Sequence, residues 1–459
     1  MTENKNTATV NKSLFDVDGK PDFAKAFPIA LQHLLAMIVG NTLPAIVLKN
    51  TLANTPYALT PEQSIYLIQA GMFVAALATL LQLYPIYKLG LGSRLPMIMG
   101  VSFAYIPVIN SIAVKYGIGA VFGAQIVGGI VSFIVGMNIK RLYKYFPPMV
   151  SGTVVLTIGL SLYSVALNYM AGGNGNPNQG DGVYWIAAIV TLLVVLACNM
   201  FGKGIVKLSA ILIGIVVGYI VSYFLGIVSF DGIRDAAWLT YPKLMPFKLE
   251  FPIEACVTMA VMFVVNSIQA VGDFSSATAG GMNRRPTEEE LEGGIKGYGI
   301  VNMLSAFIGG LPTASYSQNV GIVSLTKVVA RSVLKITAIM ILIAGFIPKF
   351  GALMLSVPQA VIGGATVTVF AQITMSGMRL ITSDEMSSRN VTITGLAIAL
   401  GMGITQLNPT AIEKFPDWFR MVFASSPVVL AALIVLFLNI ILPKKTIAEE
   451  EAERAQMDK

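Results

Sequence analysis

The sequence predicts an all-α polytopic membrane protein: fourteen transmembrane helices in a 7+7 inverted repeat, with the third and tenth helices short and broken. Three observations predict it. First, the chain is 55% hydrophobic and only 12% charged, about half the roughly 25% charge of a soluble domain. Second, apolar runs long enough for a bilayer core, about 20 residues per helix, recur from end to end. Third, short signatures of the first half return in the second. The net charge of +7 does not point to nucleic acid, because Lys and Arg are scattered through short loops rather than gathered on one face. Cationic cytoplasmic loops account for it. Cys198 and Cys256 both lie in apolar runs and imply no disulfide framework. The polar start M-T-E-N-K-N-T-A-T-V has no apolar h-region, which argues against a cleaved signal peptide.

The expected spans run near 27–48, 65–84, 97–113, 117–138, 148–170, 183–201, 207–228, 253–273, 294–310, 317–329, 331–348, 359–377, 390–406 and 424–442. Those near 100 and 320 are short, polar in the middle and interrupted by Pro or Gly. Irregular backbone survives at membrane depth only where protein or a cavity covers it. A pair of such segments in matching halves points to a transporter's binding site. Lys88, Arg94, Lys140, Arg141, Lys144, Lys203, Lys207, Arg284, Arg285, Lys327, Arg331, Lys335, Arg379 and Arg389 fall in alternate loops, and Lys444 and Lys445 follow the last helix. The loop 174–182 carries no Lys or Arg. This asymmetry places both termini in the cytoplasm, in an inner or plasma membrane.

The repeat is explicit. F-P-P-M-V-S-G from Phe146 and V-P-Q-A-V-I-G from Val357 share Pro, Val and Gly at one spacing: Pro147, Val150, Gly152 against Pro358, Val361, Gly363. Leu95-Pro96 stands seven residues before Ser102-Phe103, and Leu311-Pro312 seven before Gln318-Asn319. Seven helices per half is odd, so the second half must be inverted.

Polar residues then mark a site. The stretch P-T-A-S-Y-S-Q-N-V-G from Pro312 opens the tenth helix, opposite Gly100 to Ala104 in the third. Two half-helix N-termini meeting at mid-membrane leave free N–H groups and positive dipole ends. Gln318 and Asn319 each offer a donor and an acceptor, and Phe103 offers a ring face. A nucleobase requires this mix; the alternative is that Gln318 and Asn319 only cap a broken helix. In the eighth helix Gln269 and Asp273 are spaced i,i+4 and share a face. Asp273 either serves function as an intramembrane carboxyl or caps a loop at the cytoplasmic end; Gln269 either meets a ligand or packs helices. His33, the single histidine, follows Gln32 in the first helix; it relays a proton or hydrogen-bonds between helices. The run R-R-P-T-E-E-E-L-E (284–292) reads as a solvated helix start. No phosphate loop, metal-spaced His/Cys cluster or catalytic triad is present, so no catalytic residue, metal or organic cofactor is expected.

At these residues the sequence resembles the nucleobase–ascorbate transporter family (nucleobase:cation symporter-2), over about residues 20 to 443. Four motifs carry the resemblance: Gln32-His33, G-x-S-F from Gly100 to Phe103, Q-x-x-x-D from Gln269 to Asp273, and Q-N-x-G-x-x-x-x-T from Gln318 to Thr326. Gln318-Asn319 is similar to the xanthine and uric acid branch; uracil permeases tend to have Glu in place of the Gln. The resemblance implies a core domain of helices 1–4 and 8–11 (27–145 and 251–356) and a gate domain of helices 5–7 and 12–14 (146–250 and 357–443), between tails 1–26 and 444–459. It implies that core moves against gate, driven by a proton as the coupling ion, and that homodimers form through the gate. It implies substrate contacts at Phe103, Gln269, the backbone of Ser317, and Gln318, with Asn319 and Ser102 beside them. Two departures stand out. The family usually has Glu where Gln269 stands, and an Asp in the ninth helix where this chain has Tyr298. Gln269 can hydrogen-bond a purine edge but cannot carry a proton. Coupling then falls to Asp273 or His33, or the carrier is a uniporter. The expected partners are a nucleobase, xanthine or uric acid first, and the lipid bilayer. Uracil or another nucleobase, or an anion exchanger of the same architecture, are the alternatives; an enzyme lacks its constellation.

Overall fold

A computed structural model describes residues 13–173, 176–416, 419–424 and 426–457. The polar start of the chain and part of the 174–182 loop lie outside them. The main elements are α1 (Phe23–Leu52), α2 (Pro61–Leu83), β1 (Met99–Val101), α3 (Ile106–Tyr116), α4 (Ile118–Met137), α5 (Pro148–Met170), α6 (Gly182–Phe201), α7 (Ala210–Phe224) and α8 (Ile253–Met282). They continue with α9 (Glu288–Phe307), β2 (Thr313–Ser315), α10 (Ser317–Thr326), α11 (Arg331–Gly345), α12 (Gln359–Ser383), α13 (Ser388–Ile404), α14 (Pro427–Ile441) and α15 (Ile447–Met457). Short helical turns between them are left unnumbered.

Among the described residues, α1, α2, α4, α5, α6, α8 and α12 are each long and apolar enough to cross a bilayer alone. The other expected spans fall short for identifiable reasons. α3 and α10 are half-helices continued by a strand. α9 starts at Thr287 with Glu288, Glu289 and Glu290 in its first turn, which lowers its hydropathy; the acidic run does open a helix, with Thr287 and Glu290 capping each other. α11 breaks by 83° into the following helix Pro348–Ser356. α7 and α14 have 15 residues each and α13 has 17, about 22 to 26 Å at 1.5 Å per residue, against a core of about 30 Å.

The architecture is a 7+7 inverted repeat. β1 and β2 pair antiparallel, Met99 with Ser315, Gly100 with Ala314 and Val101 with Thr313, as expected where a two-fold axis relates matched segments of inverted halves. α5 and α12 begin at equivalent prolines, Pro147 and Pro358, both N-caps in extended backbone. These two helices pack tightly together: a Cβ on Gly377 would lie 2.3 Å from the Leu156 nitrogen, and one on Gly152 2.6 Å from the Ile381 nitrogen. Small residues let membrane helices approach to this degree. α5–α7 and α12–α14 pack mainly on one another, as do α1–α4 and α8–α11.

A two-stranded sheet inside an apolar protein has a specific problem: its outward N–H groups face no strand. Each buried N–H left unpaired costs about 1–3 kcal/mol. Here four side chains from neighbouring helices take them. Met99 N–H donates to Thr79 Oγ1 at 3.0 Å, Val101 N–H to Asn41 Oδ1 at 2.8 Å, and Thr313 N–H to Asn302 Oδ1 at 2.8 Å. Ser315 N–H donates to the Tyr298 hydroxyl. The sheet is thereby fixed from α1, α2 and α9.

The segment before α1 also packs on the fold. The carbonyl of Leu14 accepts from the amides of Val329 and Ala330 at 3.1 and 3.2 Å, and that of Val17 from Arg331 N–H at 3.1 Å. Asp18 pairs with both Arg94 and Arg331. Burial raises the Asp18 pKa, but the hydrogen bond and charge of Arg331, helped by Arg94, outweigh it and hold the carboxyl below its ordinary 3.8. A depressed pKa contributes stability that is complete above the unfolded value and fades as pH falls through the folded one. Asp18→Asn is therefore expected to speed amide exchange at Val329, Ala330 and Arg331 several-fold at neutral pH, each half-exposed pair being worth about 0.2–1 kcal/mol. Wild type should show the same loosening only below about pH 4. Hydrogen exchange corrected for intrinsic rates checks this; unchanged protection in the variant would contradict it.

Candidate functional site

The two half-helices meet beside the β1–β2 pair. Ser102 caps the turn that precedes α3, its Oγ accepting from Ala104 N–H at 3.2 Å. Tyr316 is the N-cap of α10, and its hydroxyl donates to the Val101 carbonyl across the pair at 2.7 Å. Space for that ring comes from Gly100, whose Cβ would stand 2.6 Å from Tyr316 Cε2 and 2.7 Å from Asn41 Oδ1. Both neighbours are held by bonds to Val101, so neither can retreat cheaply. Gly100→Ala is expected to lower transport at least about tenfold, each disturbed bond being worth about 1 kcal/mol, at normal membrane abundance. Uptake normalised to protein in the membrane measures it; wild-type rates would refute the packing argument.

Phe103, Ser102, Gln269, Ser317 and Gln318 all line one cavity of about 30 Å³. Of the residues singled out in the sequence, these five are brought together. Ile158 of α5 and Ile373 of α12 close the opposite wall. Phe103 meets Phe370 of α12 edge-on, centroids 5.2 Å apart at 81°. The space holds a water molecule or two, not a purine. Ser317, Gln318 and Ile373 also line a second cavity of about 570 Å³, within the range of small-molecule pockets. The first two amides of α10, those of Ser317 and Gln318, precede the helix's hydrogen-bond ladder, whereas those of Asn319 and Val320 donate to the Tyr316 carbonyl at 3.0 and 3.1 Å.

Asp273 is buried and does not line the small cavity. α8 runs on to Met282, so Asp273 lies within the helix and is not a cap at its cytoplasmic end. The extension past 273 is polar and glycine-rich, which hid it. The carboxylate accepts from the Ser315 hydroxyl and from Ser317 Oγ at 2.8 Å. Asp273 thus ties the strand-to-helix turn of β2–α10 to α8. Gln269 stands one turn earlier on the same face of α8. Its Oε1 is left buried without a partner on a side chain that lines the cavity.

Asn319 does not line the cavity. Successive helical residues are about 100° apart, so Asn319 faces away from Gln318. Its Nδ2 lies 3.0 Å from both His33 Nδ1 and the His33 carbonyl. The ring nitrogen accepts, the neutral tautomer follows, and His33 joins α1 to α10. Gln32 is half-buried on α1 and does not border the cavity. Tyr298 does not border it either: it is the acceptor for the β2 edge. Sequence reasoning missed Tyr316, Phe370, Ile158 and Ile373. The last three are ordinary apolar residues of long helices and carried no signal. Tyr316 sat inside the quoted polar stretch and was passed over for its amide neighbours.

The Permease family model matches residues 24–410. The chain is 31% identical to the "Xanthine permease" of Bacillus subtilis over 441 residues, covering 95% of this chain and 98% of that one. It is 33% identical to the "Uric acid permease PucK" of the same organism over 418 residues, covering 90% and 94%. Among solved structures it resembles "The transmembrane domain of a cyanobacterium bicarbonate transporter BicA" with a TM-score of 0.57 at 16% identity, covering 93% of this chain and all of that one; the likeness is one of fold.

Proposed function

The chain belongs to the Permease family, within the xanthine and uric acid branch of the nucleobase–ascorbate transporters, and from that premise we propose that it carries an oxidised purine across the cell membrane. The observation that carries the reading is the unpartnered Gln269 Oε1 on the same cavity as Gln318, the start of α10 and the Phe103 ring. A purine N–H would meet Gln269 Oε1, Gln318 would pair edge-on with donor and acceptor, and Phe103 would stack. A site built to hydrogen-bond a substrate rejects analogues that leave its buried groups unpaired. That favours xanthine and uric acid over bases with fewer N–H and C=O groups.

Transport would follow from movement of α1–α4 and α8–α11 against α5–α7 and α12–α14. The large cavity faces the end that bears Lys207 and Arg379, which the positive-inside rule assigns to the cytoplasm together with both termini. Homodimers through the gate are the assembly the family resemblance implies. Proton symport is the first reading of the coupling, with Asp273 as the buried carboxyl. A uniporter is the second, favoured by the uncharged Gln269 and Tyr298.

Radiolabelled xanthine uptake into cells lacking their own purine permeases, at two external pH values and with a protonophore, tests both. Competition with excess uric acid, hypoxanthine and uracil ranks the substrates. Collapse with the protonophore supports symport, and saturable uptake indifferent to it supports the uniporter. Absence of uptake of every base would overturn the purine reading.

A further inference from the structure

The cavity of about 570 Å³ has two ionisable residues in its lining, and both are cations: Lys207, just before α7, and Arg379 of α12. No Asp or Glu lines it. Both side chains are exposed, and neither forms an ion pair among the described residues. Three other arginines of the loops at that end are paired: Arg94 and Arg331 share Asp18, and Arg284 holds Glu290 at 2.5 Å. α10 borders the cavity along its whole length, from Ser317 and Gln318 in its first turn to Leu325 in its last, so its dipole lends the space no net sign and the charge comes from the two side chains. Topology alone would be served by cations anywhere in the loops, as Lys203 illustrates without bordering the cavity.

We propose that this cavity is an electropositive passage selective for an ionised purine, the urate monoanion foremost, with Lys207 and Arg379 drawing the anion between the central site and the cytoplasm. The inference rests on the purine-permease reading and deepens it by naming the charge state of the substrate. Uric acid is the stronger acid of the two expected substrates, so at mildly acidic pH it is still ionised whereas xanthine is neutral. A cleft lined by one sign of charge concentrates the opposite ion and raises its encounter rate about 10- to 1,000-fold. The effect is screened over about 10 Å at 0.1 M salt.

The test uses the full chain in proteoliposomes at mildly acidic pH, where urate stays ionised and xanthine is neutral, measuring urate and xanthine exchange at low and high ionic strength. The variants are Lys207→Gln with Arg379→Gln, and a charge-keeping control, Lys207→Arg with Arg379→Lys. Abundance and orientation are scored by labelling from each side. Wild type and control should exchange urate faster at low salt, with xanthine indifferent. The neutralised protein should lose the salt effect and about tenfold of its urate rate at low salt, again with xanthine unchanged. Equal slowing of both bases, a salt effect that survives neutralisation, or transport confined to xanthine would overturn the passage and leave the permease reading standing. No exchange of any purine by the wild type would overturn both.

Discussion

Gln318→Ala is expected to abolish purine uptake while the protein still reaches the membrane in normal amount. Gln318 is the one amide that borders both the small cavity and the large one, so it meets substrate wherever the two join. Truncation removes a donor and an acceptor together. In a site closed to water, each purine group left unpaired costs about 1–3 kcal/mol. Two such losses correspond to roughly 30-fold to over 10,000-fold in apparent affinity, since 1.4 kcal/mol is tenfold. The fold should tolerate the change, because Gln318 is half-exposed and the N-cap of α10 is Tyr316. Uptake with membrane abundance from the same cells separates the two effects. Full activity in the variant would remove Gln318 from the site.

The repeat and the site were legible in the sequence to different depths. Matched Leu-Pro pairs at 95 and 311 placed the two broken helices opposite each other, and β1 pairs with β2 in that register. The spacing works because an inverted duplication keeps its own punctuation: prolines mark where helix must start, as at Pro147 and Pro358. The grouping of Phe103, Gln269, Ser317 and Gln318 was legible through the family motifs that carry them, and the amides stood out besides because polar residues are conspicuous in an apolar chain. The orientation of each amide was not. Gln318 and Asn319 are adjacent letters, yet one faces the cavity and the other binds His33. Only the rotation of α10 decides that.

The departure at Tyr298 illustrates a further gap. Read as a sequence, it is a missing acid. In three dimensions its hydroxyl is one of four side-chain acceptors that complete the buried sheet, with Thr79, Asn41 and Asn302. These four are dispersed over α1, α2 and α9, so no local pattern connects them. The demand they meet, an unpaired N–H on each strand edge, arises only once the strands exist. Secondary structure this short is invisible to periodicity, and its supporting residues are invisible with it.

The second large effect is expected at Asp273, where two substitutions should part company. Asp273→Ala removes the acceptor for the hydroxyls of Ser315 and Ser317. Buried donors without a partner cost about 1–3 kcal/mol each. The start of α10 should loosen, with transport lost and thermal stability in detergent reduced. Asp273→Asn keeps the size and one acceptor oxygen but can neither carry charge nor bind and release a proton. If this carboxyl couples transport, the Asn protein should still exchange labelled xanthine across the membrane at equal concentrations, within about tenfold of wild type on the loss of one hydrogen bond of about 1 kcal/mol. It should no longer accumulate xanthine against a gradient, and the protonophore should then change nothing. Accumulation that persists in Asp273→Asn and still collapses with the protonophore would exclude Asp273 as the coupling group. Its remaining role would be the mechanical one, holding the turn between β2 and α10 against α8.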